Sequence, residues 1–221
     1  MAIDILIERL RKIKNNLELI MIIPENIINK PLENYCLNNN IKYFLGDEED
    51  LLDRHYKAAI KFNGKKILKV PSDCIFMDPK IIDNIIDYFN KNDFDYLSNL
   101  YPESYPYGFD VEIFTINTLK KCWLFSKQKH EREHTTPYIL NNKHMFKIGN
   151  YKWETGLNLS KKYRIVLDYK EDLDFLRVLY KNVPKKNNHF TLDEIVDYLN
   201  NNIKITKLNS MHINSQWYNN L

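Results

Sequence analysis

The hydrophobic residues of this chain recur at two alternating spacings. Over residues 2–16 they stand three or four positions apart, which predicts an amphipathic helix that ends at a pair of asparagines. The run LELIMII at 17–23 is apolar except for Glu18 and stops at Pro24, which is typical of a buried strand. Helix-like and strand-like segments then alternate as far as about residue 100.

The remaining elements follow from the same two spacings. Further helices are predicted at about 26–39, 48–62, 78–92, 116–128, 170–183 and 192–202. Further strands are predicted at 41–46, 65–70, 95–100, 110–114, 144–151 and 161–168. Thr191 and Glu194 form a predicted capping box at the start of the last helix. This alternation predicts the α/β class, with a mostly parallel sheet and helices on both faces.

Composition narrows the class of protein without defining its function. The 221 residues, 44% of them hydrophobic, are enough for one domain with a buried core. The net charge is +3 and acidic and basic residues are interspersed, which disfavours a nucleic-acid partner. Cys36, Cys74 and Cys122 are widely spaced without a C-x-x-C motif, which predicts reduced thiols in a cytoplasmic protein. The run at 17–23 is too short to cross a bilayer.

Two aspartates stand where predicted strands end. Asp73 follows the strand at 65–70, and Asp168 is the last residue of the strand at 161–168. Open parallel sheets bind ligands beyond the carboxyl ends of their strands, and carboxylates there can share one Mg²⁺ that also holds substrate phosphates. The alternative is that each aspartate is simply a helix cap or a turn residue.

The stretch HEREH, which begins at His130, has the letters of a helical zinc site, H-E-x-x-H. Such a site needs both histidines on one continuous helix and a third ligand farther along. Pro137 follows His134 by three residues and interrupts any helix there. The pattern therefore favours a short capped helix over a zinc centre, with His134 either structural or at the border of a pocket.

Five segments, in order, resemble one family. They are GDEEDLLDRHYKAA, SDCIFMDPKIID, YPYGFDVEIF, EREHTTPYI and RIVLDYKEDLDFLRVLY. They are similar to the cytidylyltransferases of the spore-coat polysaccharide type, which are relatives of CMP-sialate and CMP-Kdo synthetases. The resemblance runs from Ile3 to about Asn209. It implies the Rossmann-like fold of nucleotide-diphospho-sugar transferases, and an enzyme that joins CTP to an acidic sugar or related acceptor with Mg²⁺ and releases pyrophosphate.

The resemblance also implies roles for particular residues. Asp73 and Asp168 match the positions that hold the metal in related synthetases, and Arg54 matches an arginine that would pair with an anionic group. The alternative for Arg54 is a structural salt bridge on a helix surface. The residues implied to bind substrate are Ser72, Gly108, Asp110, Glu112 and His134. Asp110 and Glu112 alternate onto one face of a predicted strand, and the alternative is that this face is a solvated strand edge.

The chain departs from the family pattern at three places. The strand and loop that open the family's nucleotide side have no counterpart before the first helix. Ser72 replaces a glycine, and Tyr169 and Lys170 replace a Thr-Pro pair. We therefore expect residues 1–100 to be a shortened nucleotide-side half and 101–221 to be the acceptor and dimerisation half. Segment 101–150 is rich in Tyr and Phe and includes Trp123, and a homodimer is expected there. Two functions stay open, an active cytidylyltransferase or a non-catalytic relative that binds a sugar or a partner.

Overall fold

The computed structural model describes residues 1–186 and 189–213. Its α-helices are α1 (Ala2–Leu10), α2 (Lys30–Asn38), α3 (Leu51–Lys61), α4 (Pro79–Lys91), α5 (Ile116–Phe125), α6 (Lys129–His134), α7 (Pro137–Asn141), α8 (Lys170–Asn182) and α9 (Leu192–Asn201). Its strands are β1 (Ile20–Pro24), β2 (Lys42–Gly46), β3 (Lys66–Lys69), β4 (Tyr96–Ser98), β5 (Glu112–Thr115) and β6 (Ile148–Asn150). None of the helices in these ranges is long and apolar enough to cross a membrane.

Local sequence signals explain where several helices begin. The carboxylate of Asp50 accepts a hydrogen bond from the N–H of Asp53 at the start of α3, and Asp78 does the same for Lys80 at the start of α4. The capping box predicted from the sequence is confirmed at the start of α9. Each of these ends therefore depends on residues within a single turn of the helix.

The strands form two sheets. The first pairs β1 with β2 in parallel, and the second has the order β3-β5-β4-β6. Strand β5 runs antiparallel to both of its neighbours, whereas β4 and β6 are parallel. The α/β class is confirmed, and the parallel pairing predicted for the sheet holds for two of the four strand pairs.

Helices cover both faces of the second sheet. On β3, Leu68 packs against the apolar cluster that contains Leu10 of α1, and Ile67 packs against the cluster that contains Ala59 of α3. Because successive side chains of a strand point to opposite faces, α1 and α3 lie on opposite sides of β3. This confirms the two-sided covering that the apolar strands predict.

The strand predicted at 161–168 is wrong. This segment is extended, but it forms only an isolated bridge between Tyr107 and Arg164. The N–H of Ile165 donates to the carbonyl of Tyr107, and the N–H of Leu167 donates to the carbonyl of Asp73. The two partners belong to different loops, so the segment has no straight neighbour along which a ladder could extend.

Arg9 fastens α1 to the rest of the molecule. Its side chain is buried and donates hydrogen bonds to the carbonyls of Met77, at 2.7 Å, and of Phe190, at 2.9 Å. Burial lowers the pKa of this guanidinium to about 10. The three cysteines are buried free thiols, as the sequence predicts.

Candidate active site

Asp73 and Asp168 lie side by side although 95 positions separate them in the chain. The backbone hydrogen bond from Leu167 to the Asp73 carbonyl measures 3.1 Å and brings the two segments together. Oδ1 of Asp73 is buried and has no hydrogen-bond partner within the described residues. Burial, and then the negative charge of Asp168, raise the pKa of Asp73. The two carboxylates therefore lie close enough to interact electrostatically.

Neither aspartate caps a helix, so that part of the alternative is wrong for both, whereas Asp73 does lie in a turn and Asp168 in a bend. The residue that caps α4 is Asp78, whose other oxygen accepts a hydrogen bond from the backbone of α9. At the start of α8 the capping carboxylate belongs to Asp172, which accepts the N–H groups of Asp168 and Tyr169. The side chains of Asp73 and Asp168 are thus not used to begin a helix.

Arg164, which the sequence analysis did not single out, holds Asp168 in place. Its guanidinium is fully buried and lies 2.5 Å from Oδ2 of Asp168 and 2.8 Å from Oδ2 of Asp172. Asp168 keeps 34% of its side chain exposed, whereas Asp172 is buried. A buried arginine that binds two carboxylates sets the position of the more exposed one. The only signal in the sequence is an arginine inside the apolar run YRIVLD.

Arg54 is buried, not on a helix surface. The residue is 6% exposed, and its Nε and Nη1 atoms have no hydrogen-bond partner within the described residues. Burial lowers its pKa, and the acidic residues Asp47, Glu48 and Asp50 oppose that change. Unpaired buried N–H groups are costly, so this guanidinium is suited to an anionic ligand. The surface salt bridge considered as an alternative is absent from the ion pairs of the described chain.

Asp110 and Glu112 are also buried, at 6% and 3% exposure, which excludes a solvated strand edge. Glu112 lies 2.7 Å from Nζ of Lys69 and accepts a second hydrogen bond of 2.7 Å from the hydroxyl of Tyr96. Burial, followed by the charges of Asp73 and Glu112, raises the pKa of Asp110 to about 8. The sequence analysis missed Lys69, whose signal is a lysine inside the apolar run KILKV.

Gly108 is required by packing. Its φ is 111°, and a Cβ there would lie 2.2 Å from the carbonyl oxygen of Ile165. The close approach that this glycine allows is therefore to the segment that leads to Asp168, not to open space. The prediction that Gly108 also contacts a ligand stays a prediction.

His134 ends α6, and its carbonyl accepts a hydrogen bond of 3.3 Å from Nζ of Lys69. Burial lowers the pKa of its imidazole. Thr135 has a φ of 72°, so the chain turns at once and α7 begins at Pro137. The helix that carries both histidines is six residues long, as expected from the proline. Ser72 is exposed in the loop after β3.

The structure thus brings together most of the residues predicted for the site. Asp73 interacts electrostatically with Asp168 and with Asp110, and Asp110 interacts in turn with Glu112. Arg54 lies at another position, beside Gly46 at the end of β2. Among the described residues no three acids, histidines or cysteines are placed to hold a metal ion by themselves, so a cation here would be shared between Asp73, Asp168 and the phosphates attached to it.

Comparison with known proteins places this chain in a family. A family model described as Cytidylyltransferase matches residues 3–205. An uncharacterized protein of Methanocaldococcus jannaschii is 29% identical over 217 residues, which is 94% of this chain and 83% of that protein. The spore coat polysaccharide biosynthesis protein SpsF of Bacillus subtilis is 25% identical over 207 residues, which is 90% of this chain and 83% of SpsF.

Two solved structures show the same fold. A cytidylyltransferase from Leptospira borgpetersenii superposes with a TM-score of 0.87 at 28% identity, covering 93% of this chain and 85% of that chain. The synthetase of CMP-2-keto-3-deoxy-manno-octonic acid, solved with CTP, has a TM-score of 0.53 at 8% identity, covering 69% of this chain and 78% of that chain, a likeness of fold alone. The architecture is that of the nucleotide-diphospho-sugar transferases. With a family match that spans almost the whole chain, the protein belongs to the cytidylyltransferase family.

Proposed function

We propose that the protein is a CTP-dependent cytidylyltransferase that activates an acidic sugar, or a related hydroxyl compound, for surface polysaccharide synthesis. The observation that carries the proposal is the meeting of Asp73 and Asp168, neither of which caps a helix. The name of SpsF points to polysaccharide biosynthesis, and the synthetase structure holds CTP. These relatives support the choice of nucleotide and of pathway class for the present chain.

The two carboxylates fit a divalent cation such as Mg²⁺. Oδ1 of Asp73 is buried without a hydrogen-bond partner in the described chain, and the charge of Asp168 opposes the ionisation of Asp73. A cation bound by both carboxylates would remove that repulsion and would supply charge neutralisation for the phosphates of the nucleotide. Arg164 would keep Asp168 oriented toward it through Oδ2.

In the proposed transfer, the acceptor hydroxyl forms a bond to the α-phosphorus of CTP while the bond to pyrophosphate breaks, and the hydroxyl proton is released. The protein contributes position and charge to this step. Arg54 would bind an anionic group through its unpaired N–H groups. The acceptor would lie against the residues predicted for it, which are Ser72, Gly108, Asp110, Glu112 and His134.

Release of pyrophosphate from CTP, in the presence of MgCl₂ and a panel of sugar acids, tests the proposal. Asp73→Asn and Asp168→Asn should each lower the rate at least a hundredfold, because each removes a charge from the cation site. Glu49→Gln is the matched control, since Glu49 is 78% exposed on the side chain and lies outside the site. The thermal stabilisation by MgCl₂ alone should also disappear in both Asn variants and persist in Glu49→Gln.

A second candidate is the non-catalytic relative that binds a sugar or a partner. The observation that favours it is the ion pair of Asp168 with Arg164, which already satisfies one carboxylate oxygen. This protein would bind CTP or a sugar acid in calorimetry without any release of pyrophosphate. That outcome, with unchanged binding in Asp73→Asn, would replace the first proposal with the second.

We also propose that the protein is cytoplasmic and forms a homodimer through segment 101–150. Trp123 in α5 is stacked on Tyr56 and donates a hydrogen bond to Asp53, so it is not free to reach a partner by itself. Leu124 and Phe125, which follow it, are 45% and 53% exposed and could form such a contact. Sedimentation of the wild type and of Leu124→Glu tests this, because a monomer in both would exclude the dimer.

A further inference from the structure

Residues 209–212 fold back over the buried side chain of Arg164. The side-chain amide of Asn209, a residue that is 2% exposed, donates to the backbone carbonyl of Arg164 at 3.0 Å and to Oδ1 of Asp172 at 2.8 Å. The carbonyl of His212 accepts a hydrogen bond of 3.4 Å from Nη1 of Arg164. This segment therefore bonds to both members of the buried ion pair.

The imidazole of His212 attaches the segment at a second point. Its ring is stacked on the ring of Tyr169, with 3.9 Å between the centroids and 13° between the planes. Its Nε2 atom lies 3.4 Å from Oε2 of Glu171. Cζ of Arg164 lies over the ring of Tyr169, 5.3 Å from its centroid. The stack thus joins residues 209–212 to the same guanidinium by a second route.

The guanidinium of Arg164 uses all three of its nitrogen atoms. Nε and Nη2 donate to the two oxygens of Asp172, at 2.9 Å and 2.8 Å. Nη2 also donates to Oδ2 of Asp168 at 2.5 Å, and Nη1 donates to the carbonyl of His212. A planar guanidinium cannot turn toward one partner without disturbing the others. The orientation of Arg164 toward Asp168 therefore depends on all of these contacts.

We propose that Asn209 and His212 are positioning residues of the cation site. They act through Arg164, which orients Asp168. The inference rests on the proposed function, because Asp168 is the carboxylate that would share the cation with Asp73. Groups behind a metal ligand fix its orientation, and their loss typically lowers the affinity for the metal. Asp168 is 34% exposed, so its position depends on Arg164 more than on surrounding packing.

The alternative is that residues 209–212 only cover apolar surface. The distribution of their side chains argues against it. The amide of Asn209 is buried against the ion pair, whereas the apolar side chain of Met211 points outward and the residue is 71% exposed. A segment that served only as a cover would bury the methionine and expose the asparagine.

Calorimetric titration with CTP, performed once with MgCl₂ and once with EDTA, tests the inference without any measurement of activity. With MgCl₂, Asn209→Ala and His212→Ala should each raise the Kd at least about tenfold, because Asp168 would hold the cation less tightly. With EDTA, both variants should have the Kd of the wild type. A merely structural role would change the two Kd values by the same factor.

Two other variants are the controls. His212→Phe keeps an aromatic ring to stack on Tyr169 and should restore the wild-type Kd. Met211→Ala changes an exposed neighbour within the same segment and should leave both Kd values unchanged. If Asn209→Ala does not fold, Asn209→Ser is the milder change at that position.

A further readout requires neither metal nor nucleotide. The Nε–H proton of Arg164 and the amide of Asn209 share Oδ1 of Asp172 as their acceptor. Exchange of this Nε–H proton with water, followed by NMR, should be faster in Asn209→Ala than in the wild type, because water can then reach the ion pair. Met211→Ala should show the exchange rate of the wild type.

The possible failures are distinguishable. The same response to MgCl₂ in the wild type, Asn209→Ala and His212→Ala would overturn the inference and leave the proposed function intact. Unchanged exchange of the Arg164 Nε–H proton in Asn209→Ala would also overturn it, since the segment would then not shield the ion pair. Binding of CTP to the wild type with the same Kd in MgCl₂ and in EDTA would refute the proposed cation site, and this inference with it.

Discussion

The buried pair of Lys69 and Glu112 allows a quantitative test of how the site is held together. The side chains are 12% and 3% exposed, and the charged atoms lie 2.7 Å apart. Lys69→Met keeps most of the side-chain volume but removes the charge, so Glu112 would be left buried with Tyr96 as its neutral donor. We expect the free energy of unfolding to fall by about 3–5 kcal/mol, because an uncompensated buried charge remains.

Glu112→Gln and the double variant complete a cycle. In Lys69→Met/Glu112→Gln no buried charge remains, and the glutamine oxygen can still accept the hydrogen bond from Tyr96. The double variant should therefore be more stable than Lys69→Met alone, with a coupling energy of about 1–3 kcal/mol. Urea unfolding at pH 7 measures the change in the free energy of unfolding for the two single variants and for the double variant. Losses that simply add would refute the reasoning, because they would mean that the pair stabilises through packing and not through charge.

The pH dependence gives a second readout of the same pair. Burial raises the pKa of Glu112, but Lys69 and the hydrogen bonds outweigh it, and the pKa lies below its ordinary value. In the wild type this carboxylate adds stability above the unfolded pKa of 4.5, and that stability is lost as the pH falls through the folded pKa. In Lys69→Met the folded pKa should exceed the unfolded one, so stability should instead fall as the pH rises. Parallel curves for the two proteins would contradict this.

Two further predictions concern stability. Gly108→Ala should lower the free energy of unfolding in urea by at least about 3 kcal/mol, since it combines a positive φ with a clash at 2.2 Å. Gly156→Ala, at a positive φ with no atom within 4 Å, should lower it by only about 1 kcal/mol. Equal losses in the two variants would refute the packing argument. His55 is buried, and its pKa is lowered to about 4, first by burial and then by the charge of Lys69. Between pH 6.5 and pH 4 the unfolded chain therefore binds a proton on His55 that the folded chain does not bind. The free energy of unfolding of the wild type should fall by up to about 3 kcal/mol over this range. His55→Gln should remove that part of the acid destabilisation in denaturant titrations at both pH values, and an unchanged pH profile would show that the imidazole does not titrate there.

The sequence predicts the helices well because their signals are local. The amphipathic spacing and the capping box of α9 each lie within a few residues, and the structure confirms them; the caps of α3 and α4 are equally local. Pairing between strands is not local. Nothing in the apolar pattern of β5 specifies that it runs antiparallel to both neighbours, and segment 161–168 is apolar without having a partner strand.

The residues of the candidate site also differ in whether their signals are local in the sequence. Asp73 and Asp168 stand out in the sequence because each lies where a predicted strand ends, and the resemblance to the family adds a metal-binding role that stays a prediction. Lys69 and Arg164 could not be predicted. A single charged residue inside an apolar run does not reveal whether its side chain is buried or solvated until its partner is known. The partner of Lys69 lies 43 residues away, and that of Arg164 lies eight residues away on the next helix. The pairing of the buried Glu112 with Lys69 is likewise long-range and cannot be read from the alternation of acids along the strand.

The attachment of α1 by Arg9 has a consequence for the order in which the protein is made. One of the two carbonyls that Arg9 binds belongs to Phe190, 181 positions later in the chain. At a synthesis rate of about 5–20 residues per second, the first helix leaves the ribosome roughly 10–35 s before that partner exists. During this interval Arg9 lacks one of its two carbonyls, although the other, that of Met77, is made only 68 positions after Arg9. The attachment of α1 is therefore completed in two stages, the second of them when synthesis has reached the region of α9.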